Sequence, residues 1–156
     1  MWQIRLAECY RLRYPTRDGV YNVSGETDLN TLLASMQPTL IPDEYVFVSF
    51  ANAQYGEYTQ LSPIAMFMES EGMTLVIPKD KAEDHNIAFD SVFRCITLTV
   101  HSSLDAVGLT AAFANKLKDY NISANVIAGY YHDHIFVQQD KAQQAIAALA
   151  TFQTSQ

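Results

Sequence analysis

His132 and His134 stand two residues apart, a spacing that puts both imidazoles on one face of a strand. With Asp133 between them and His101 at the end of another apolar run, the set could in principle ligate Zn, Ni or Cu. Two imidazoles leave such a centre short of its usual third protein ligand, and Asp133 points to the opposite face. Polar contacts near a hairpin turn fit the pattern better, and no metal is expected. A metal-dependent enzyme built on His101, His132 and His134 stands as the alternative reading.

Ser103, His101 and Asp105 supply the residue types of a hydrolase triad, but within five residues of one another. Triads are assembled from distant segments, and no Gly-x-Ser-x-Gly elbow is present. Catalysis is therefore not expected. Cys95 lies in an alternating apolar run and reads as a small buried hydrophobe, while Cys9 shows no redox or metal spacing with it. No phosphate loop or dinucleotide fingerprint occurs, so no cofactor is expected.

The stretch Ser102–Ser103–Leu104–Asp105–Ala106–Val107–Gly108–Leu109 offers different chemistry. It reads as a strand-to-helix turn, whose backbone N–H groups can accept a carboxylate. Asp105 can take an ammonium, Gly108 permits close approach, and Asn125, on the adjacent strand, can reach either group. The competing reading is a well-capped helix start with a glycine for packing.

The 156-residue chain is nearly half apolar and carries a net charge of −7. Residues 1–23 hold four Arg against Glu8 and Asp18, a local +2 that leaves −9 for the remainder. An acidic body repels phosphate backbones, so no nucleic-acid partner is expected. No apolar run is long enough for a membrane helix and no signal-peptide core follows the arginines, so the sequence predicts a cytoplasmic protein without membrane contact.

Residues 1–23 show neither helical nor strand period and are broken by Pro15, Asp18 and Gly19. They read as a mobile arm, a short added strand, or an extension upstream of a start at Val23. Leu29, Leu32, Leu33 and Met36 then mark a helix, capped by Thr27 or Asp28 and stopped by Pro38. Tyr45–Phe50 predicts a strand. Arg94–Val100 alternates cleanly, with Ile96, Leu98 and Val100 on one face. Ser102–Tyr120 predicts the longest helix, opened by a Ser102/Asp105 capping box, with Ala106, Leu109, Phe113, Leu117 and Tyr120 inward and Asn121 as its left-handed terminator. Asp140–Phe152 predicts a final helix.

Two segments sixty residues apart repeat a pattern: Met66–Ile77 followed by Asp80–Lys81–Ala82, and Val126–Val137 followed by Asp140–Lys141–Ala142. Each is a hairpin leading into a helix, and a repeat of this kind implies paired modules. The second half reads β-α-β-β-α, five elements of a ferredoxin-like unit lacking its last strand. A strand donated by the first half would complete that sheet and interlock the modules.

The run Ala106–Val107–Gly108–Leu109–Thr110–Ala111, then Leu117, Asn121–Ile127, Ile135–Phe136–Val137 and Lys141 to Leu149, resembles an ACT domain over about residues 93–152. Asp28–Pro78 resembles the partner module of small bacterial tandem-ACT proteins without assigned function. Similar paired modules form the regulatory region of aspartate kinases. The resemblance implies an α/β (α+β) fold of two ACT modules with antiparallel sheets and helices on one face. It divides the chain into an arm (1–23), a divergent ACT-like module (24–90) and an ACT module (91–156). It further implies a non-catalytic regulatory protein that binds a small molecule, most commonly an amino acid. The expected ligand-binding residues are Ser102, Ser103, Leu104, Asp105, Ala106, Val107, Gly108 and Leu109 of the turn, with Asn125, Val126 and Ile127 of the strand. Open strand edges predict a homodimer. A purely structural dimerisation module is the remaining alternative.

Overall fold

The computed structural model describes residues 25–100 and 102–154; the readings made for residues 1–23 and for His101 lie outside them. Helix α1 (Leu29–Ser35) starts where the sequence predicts, with the Asp28 carboxylate accepting the Thr31 N–H at 2.8 Å. Then follow β1 (Pro38–Phe50), a single 3₁₀ turn (Thr59–Leu61), β2 (Ala65–Glu69), β3 (Gly72–Pro78) and α2 (Lys79–Asp84). The second half contains β4 (Phe93–Leu98), α3 (Leu109–Asp119), β5 (Asn125–Ala128), β6 (Asp133–Gln138) and α4 (Ala142–Ala150).

All six strands form one antiparallel sheet in the order β2-β3-β1-β4-β6-β5. The middle pair interlocks the two modules. β1–β4–β6–β5 is the four-stranded sheet of the second module, with β1 as the strand its own sequence lacks. β2–β3–β1–β4 is the sheet of the first, completed in turn by β4. A short 3₁₀ turn stands where the first module's opening helix would be. Pro38–Tyr45 pairs with Phe93–Leu98, and Tyr45–Phe50 pairs with Met73–Pro78, so one long strand serves both sheets in succession.

That strand is longer than the Tyr45–Phe50 predicted: it opens at Pro38, the residue expected to stop the preceding helix. Pro42 sits in an irregularity between Leu40 and Glu44, where three residues oppose one on β4. A bulge tolerates proline because its N–H is not needed by the ladder. The Arg94 guanidinium donates to the Ile41 carbonyl there at 2.9 Å, satisfying an acceptor displaced from the ladder.

Side-chain alternation divides the core by faces. Ile96, Leu98, Ile135 and Val137 lie under α1, α3 and α4, with Leu32, Met36, Phe113, Leu117, Ala145 and Leu149. Val46, Val48, Leu75 and Ile77 form the first module's core with Leu61 and Ala82. On the other face, Tyr45, Val76, Cys95 and Phe136 are buried among strand residues alone. Phe136 meets Tyr45 and Phe47 edge-on, at 5.9 and 5.4 Å between ring centroids. Cys95 is buried there as expected, its thiol pushed up to about 11 by desolvation, which keeps it protonated and unreactive.

Three expectations for the longest helix are corrected. It begins at Leu109 rather than Ser102, because Gly108 takes a left-handed conformation (φ 102°) that no helix can run through. The capping box is replaced by a local turn in which the Ser103 hydroxyl accepts the Asp105 N–H at 3.2 Å. Tyr120 is 41% exposed rather than inward. Leu109, Phe113 and Leu117 are buried, and Asn121 has the predicted positive φ.

Candidate functional site

The turn between β4 and α3 is held from outside its own module. Glu26 pairs with Ser102 in a parallel bridge, and the Ser103 N–H donates to the Glu26 carbonyl at 2.9 Å. Gly25 makes this approach possible: a Cβ there would lie 2.3 Å from the Ser103 nitrogen. The Glu26 carboxylate accepts the N–H groups of Thr27 and Asp28, at 2.7 and 2.8 Å, which fixes the lead into α1. Gly108 packs against Leu29 of the same helix. That residues 25–29 reach this turn leaves no local signal, since Gly25 followed by a cap residue is too common a pattern to read.

Within the turn, Leu104, Asp105 and Val107 are exposed, and Ser102, Ser103, Ala106 and Gly108 are half-buried. Ala106 packs on the core and Leu109 is part of it. Ala112 is the first residue whose N–H is bonded within α3, to the Gly108 carbonyl at 2.9 Å. No side chain caps the helix and no acidic residue stands in its first turn. The N–H groups of Leu109, Thr110 and Ala111 therefore point at the turn with the positive end of the helix dipole behind them. Such an end favours a carboxylate.

The three strand residues expected to join this site separate. Ala128 pairs with Asp133 and Asp133 with Leu98, so the end of β5 lies at the same end of the sheet as the turn. Ile127 is half-buried one residue back from that end, on the face opposite the helices, and Val126 packs into the helix-covered core. Asn125 stands about 10 Å from the turn's end of β5, at 3.3 Å per strand residue. There its amide donates to the Phe136 carbonyl at 3.2 Å. It lines an open cleft of about 610 Å³ with Ser91, Phe93, Ser123 and Gln138. Turn and Asn125 thus belong to different places within one chain.

The two histidines make separate polar contacts. The His134 ring is 3.0 Å from the Thr97 hydroxyl, and the His132 ring is 3.4 Å from the Val100 carbonyl. Asp133, buried on the opposite face, has its carboxyl raised by desolvation, partly offset by His132. Among the described residues no group of three His, Cys, Asp or Glu could hold a metal ion. Ser103 Oγ accepts the Asp105 N–H within its own turn.

Burial lowers the His134 pKa below 6.5, and the charge of His132 lowers it further. The unfolded chain therefore takes up this proton first as pH falls. Stability is greatest above the unfolded value of 6.5 and declines as pH drops toward the folded one. Urea denaturation at pH 8, 6 and 5 is expected to show that decline, with a flatter profile for His134→Gln.

The chain matches the ACT domain family twice, over residues 24–94 and again over 90–151. No curated protein matches it. A structure of a protein of unknown function from Vibrio cholerae, described as a possible transport protein, is 55% identical, with a TM-score of 0.74 over 80% of this chain and 95% of that one. The regulatory subunit of aspartate kinase from Thermus flavus shares 9% identity and a TM-score of 0.56, covering 76% of this chain and 98% of its own. Aspartokinase III of E. coli, in complex with aspartate and ADP, shares 11% identity and a TM-score of 0.54, over 76% of this chain and 33% of that one. At such identities the kinase likenesses are likenesses of fold. Two matched modules on one interlocked sheet place this chain in the ACT domain family, as a tandem-ACT protein.

Proposed function

We propose that this protein is a non-catalytic regulatory sensor that binds a small molecule, an amino acid, at the Ser102–Leu109 turn. The observation that carries the reading is the uncapped N-terminal end of α3, presented by a turn whose polar side chains stay accessible. The α-carboxylate of the ligand takes the N–H groups of Leu109–Ala111, and Asp105 takes the α-ammonium. Leu104 and Val107, 66% and 85% exposed, supply apolar surface for a side chain. Ile127 borders the site from β5, and Asn125 serves the separate cleft. The likeness to aspartate kinase regulatory subunits supports an amino-acid ligand.

No helix among the described residues is long and apolar enough to cross a membrane, and the reading places the protein in the cytoplasm as a homodimer. Output passes to a partner protein through the setting of the turn and the 25–29 segment, provided one setting binds the ligand better.

Thermal unfolding against the twenty amino acids, each with and without divalent metal, tests this. At a hundredfold excess over Kd, one amino acid is expected to raise Tm by roughly 5–10 °C, and Asp105→Ala to abolish the shift. A response to metal alone, lost in His134→Ala, would sink the sensing role in favour of the metal enzyme. No response to any addition would leave a structural module.

A further inference from the structure

The cleft lined by Asn125 lies at the end of the sheet away from the Ser102–Leu109 turn, and its chemistry is of another kind. Two cross-strand rows meet there on the face without helices. Phe93 pairs with Gln138 in one row; Cys95, Phe136 and Asn125 pair in succession in the next. Asn125 and Gln138 are therefore diagonal neighbours, close enough for their long polar side chains to reach one molecule. Ser91 and Ser123 stand where the chain enters β4 and β5, and Asp140 where it leaves β6.

Both amides are half used, and the halves left over complement each other. Asn125 Nδ2 donates to the Phe136 carbonyl at 3.2 Å, which leaves Oδ1 as the acceptor. Gln138 Oε1 accepts the Ser123 N–H at 3.2 Å, which leaves the two N–H groups of Nε2 as donors. These bonds hold the side chains in place before a ligand arrives, so little rotamer entropy is lost on binding. An acceptor beside a donor suits neighbouring hydroxyls, each of which can give a hydrogen bond and take one. The Asp140 carboxylate accepts a further hydroxyl in a charge-assisted bond. The half-buried Phe93 ring, edge-on to Phe47 at 5.3 Å, offers apolar surface for C–H groups between the hydroxyls.

Charge decides what stays out. Among the described residues that line the cleft, Asp140 is the one charged group, so a phosphate or carboxylate meets no cation there. The acidic body opposes both as well. An apolar ligand would strip water from the amides and hydroxyls without replacing its bonds. We propose that this cleft is a second binding site, for an uncharged polyhydroxylated molecule of the monosaccharide or polyol class. Its volume of about 610 Å³ lies within the range of small-molecule sites. It does not rest on the reading of the Ser102–Leu109 turn, which lies at the other end of β5.

Proton–nitrogen NMR of the full chain, titrated with glucose, galactose, ribose and sorbitol, tests the site. The additions stay below about 20 mM, where general exclusion of sugar from the protein surface is slight. At least one of them is expected to give saturable shifts at the Ser91, Ser123, Asn125 and Gln138 amides, with Kd of roughly 1 mM. A response to the ring sugars assigns a monosaccharide, and a response to sorbitol alone an open-chain polyol. Asn125→Ala and Asp140→Asn should each weaken binding about fivefold or more. If Asn125→Ala disturbs the fold through its lost bond to Phe136, the exposed Asp140→Asn reads the same contact. Glucose 6-phosphate should bind more weakly than glucose. No saturable shift from any of the four, shifts at the Ser102–Leu109 turn instead, tighter binding of the phosphate, or unchanged affinity in the folded variants would each refute the proposal.

Discussion

Phe136→Ala is expected to lower stability by about 3–5 kcal/mol and to unfold both modules in one transition. The ring is 1% exposed and packs edge-on against Tyr45 and Phe47, which lie on the strand common to both sheets. Truncation leaves a cavity between strands that cannot close without shifting the β1–β4 pairing. Tm should fall by roughly 10 °C or more. Calorimetry with equal calorimetric and van't Hoff enthalpies would show the single transition. Two resolved transitions, with only the later half weakened, would show that the modules fold apart and that the shared strand does not couple them.

The second large effect is expected at Gly25. Its φ is ordinary, so alanine is excluded by space alone: the new Cβ would lie 2.3 Å from the Ser103 nitrogen and 2.5 Å from the Ser102 carbonyl carbon. Both are backbone atoms and cannot rotate away. Gly25→Ala should therefore separate the Glu26–Ser102 bridge, cost about 1–3 kcal/mol, and weaken any ligand held by the turn. Gly56→Ala is the control. That glycine has φ +92° with nothing within 4 Å, so alanine there meets only backbone strain of about 1–2 kcal/mol and leaves the turn untouched. Urea denaturation of the two variants, with the ligand titrated into each, separates the effects. An equal loss of affinity in both would mean the bridge does not set the turn.

Local pattern made much of this fold legible. Leu29, Leu32, Leu33 and Met36 declared α1, the hairpin–helix repeat declared paired modules, and the missing last strand of the second half pointed to exchange. What stayed hidden was non-local. The first part of β1 was not predicted, because Pro42 can sit within a strand only at a bulge, and that bulge lies in the pairing with β4. Ser102 and Asp105 looked like a helix start because the positive φ of Gly108, and the isolated bridge at Glu26 that captures Ser102 and Ser103, leave no periodic trace. The candidate site was legible as a turn and not as a set. Asn125 and the turn both flank β5, but strand length holds them at opposite ends of it.

The exchange of β1 and β4 also has a meaning for synthesis on the ribosome. The first module lies in residues 24–94 by sequence, yet its outer strand runs from Phe93 to Leu98. Until those residues have left the exit tunnel, the nascent chain holds β1 with one side unpaired. The second module cannot start early either, since its missing strand was made some fifty residues before. Pairings so distant in sequence close slowly, because loop entropy is lost before any contact is gained. Both modules thus wait for one event, the meeting of Pro38–Tyr45 with Phe93–Leu98, and after it neither can be released without opening the other.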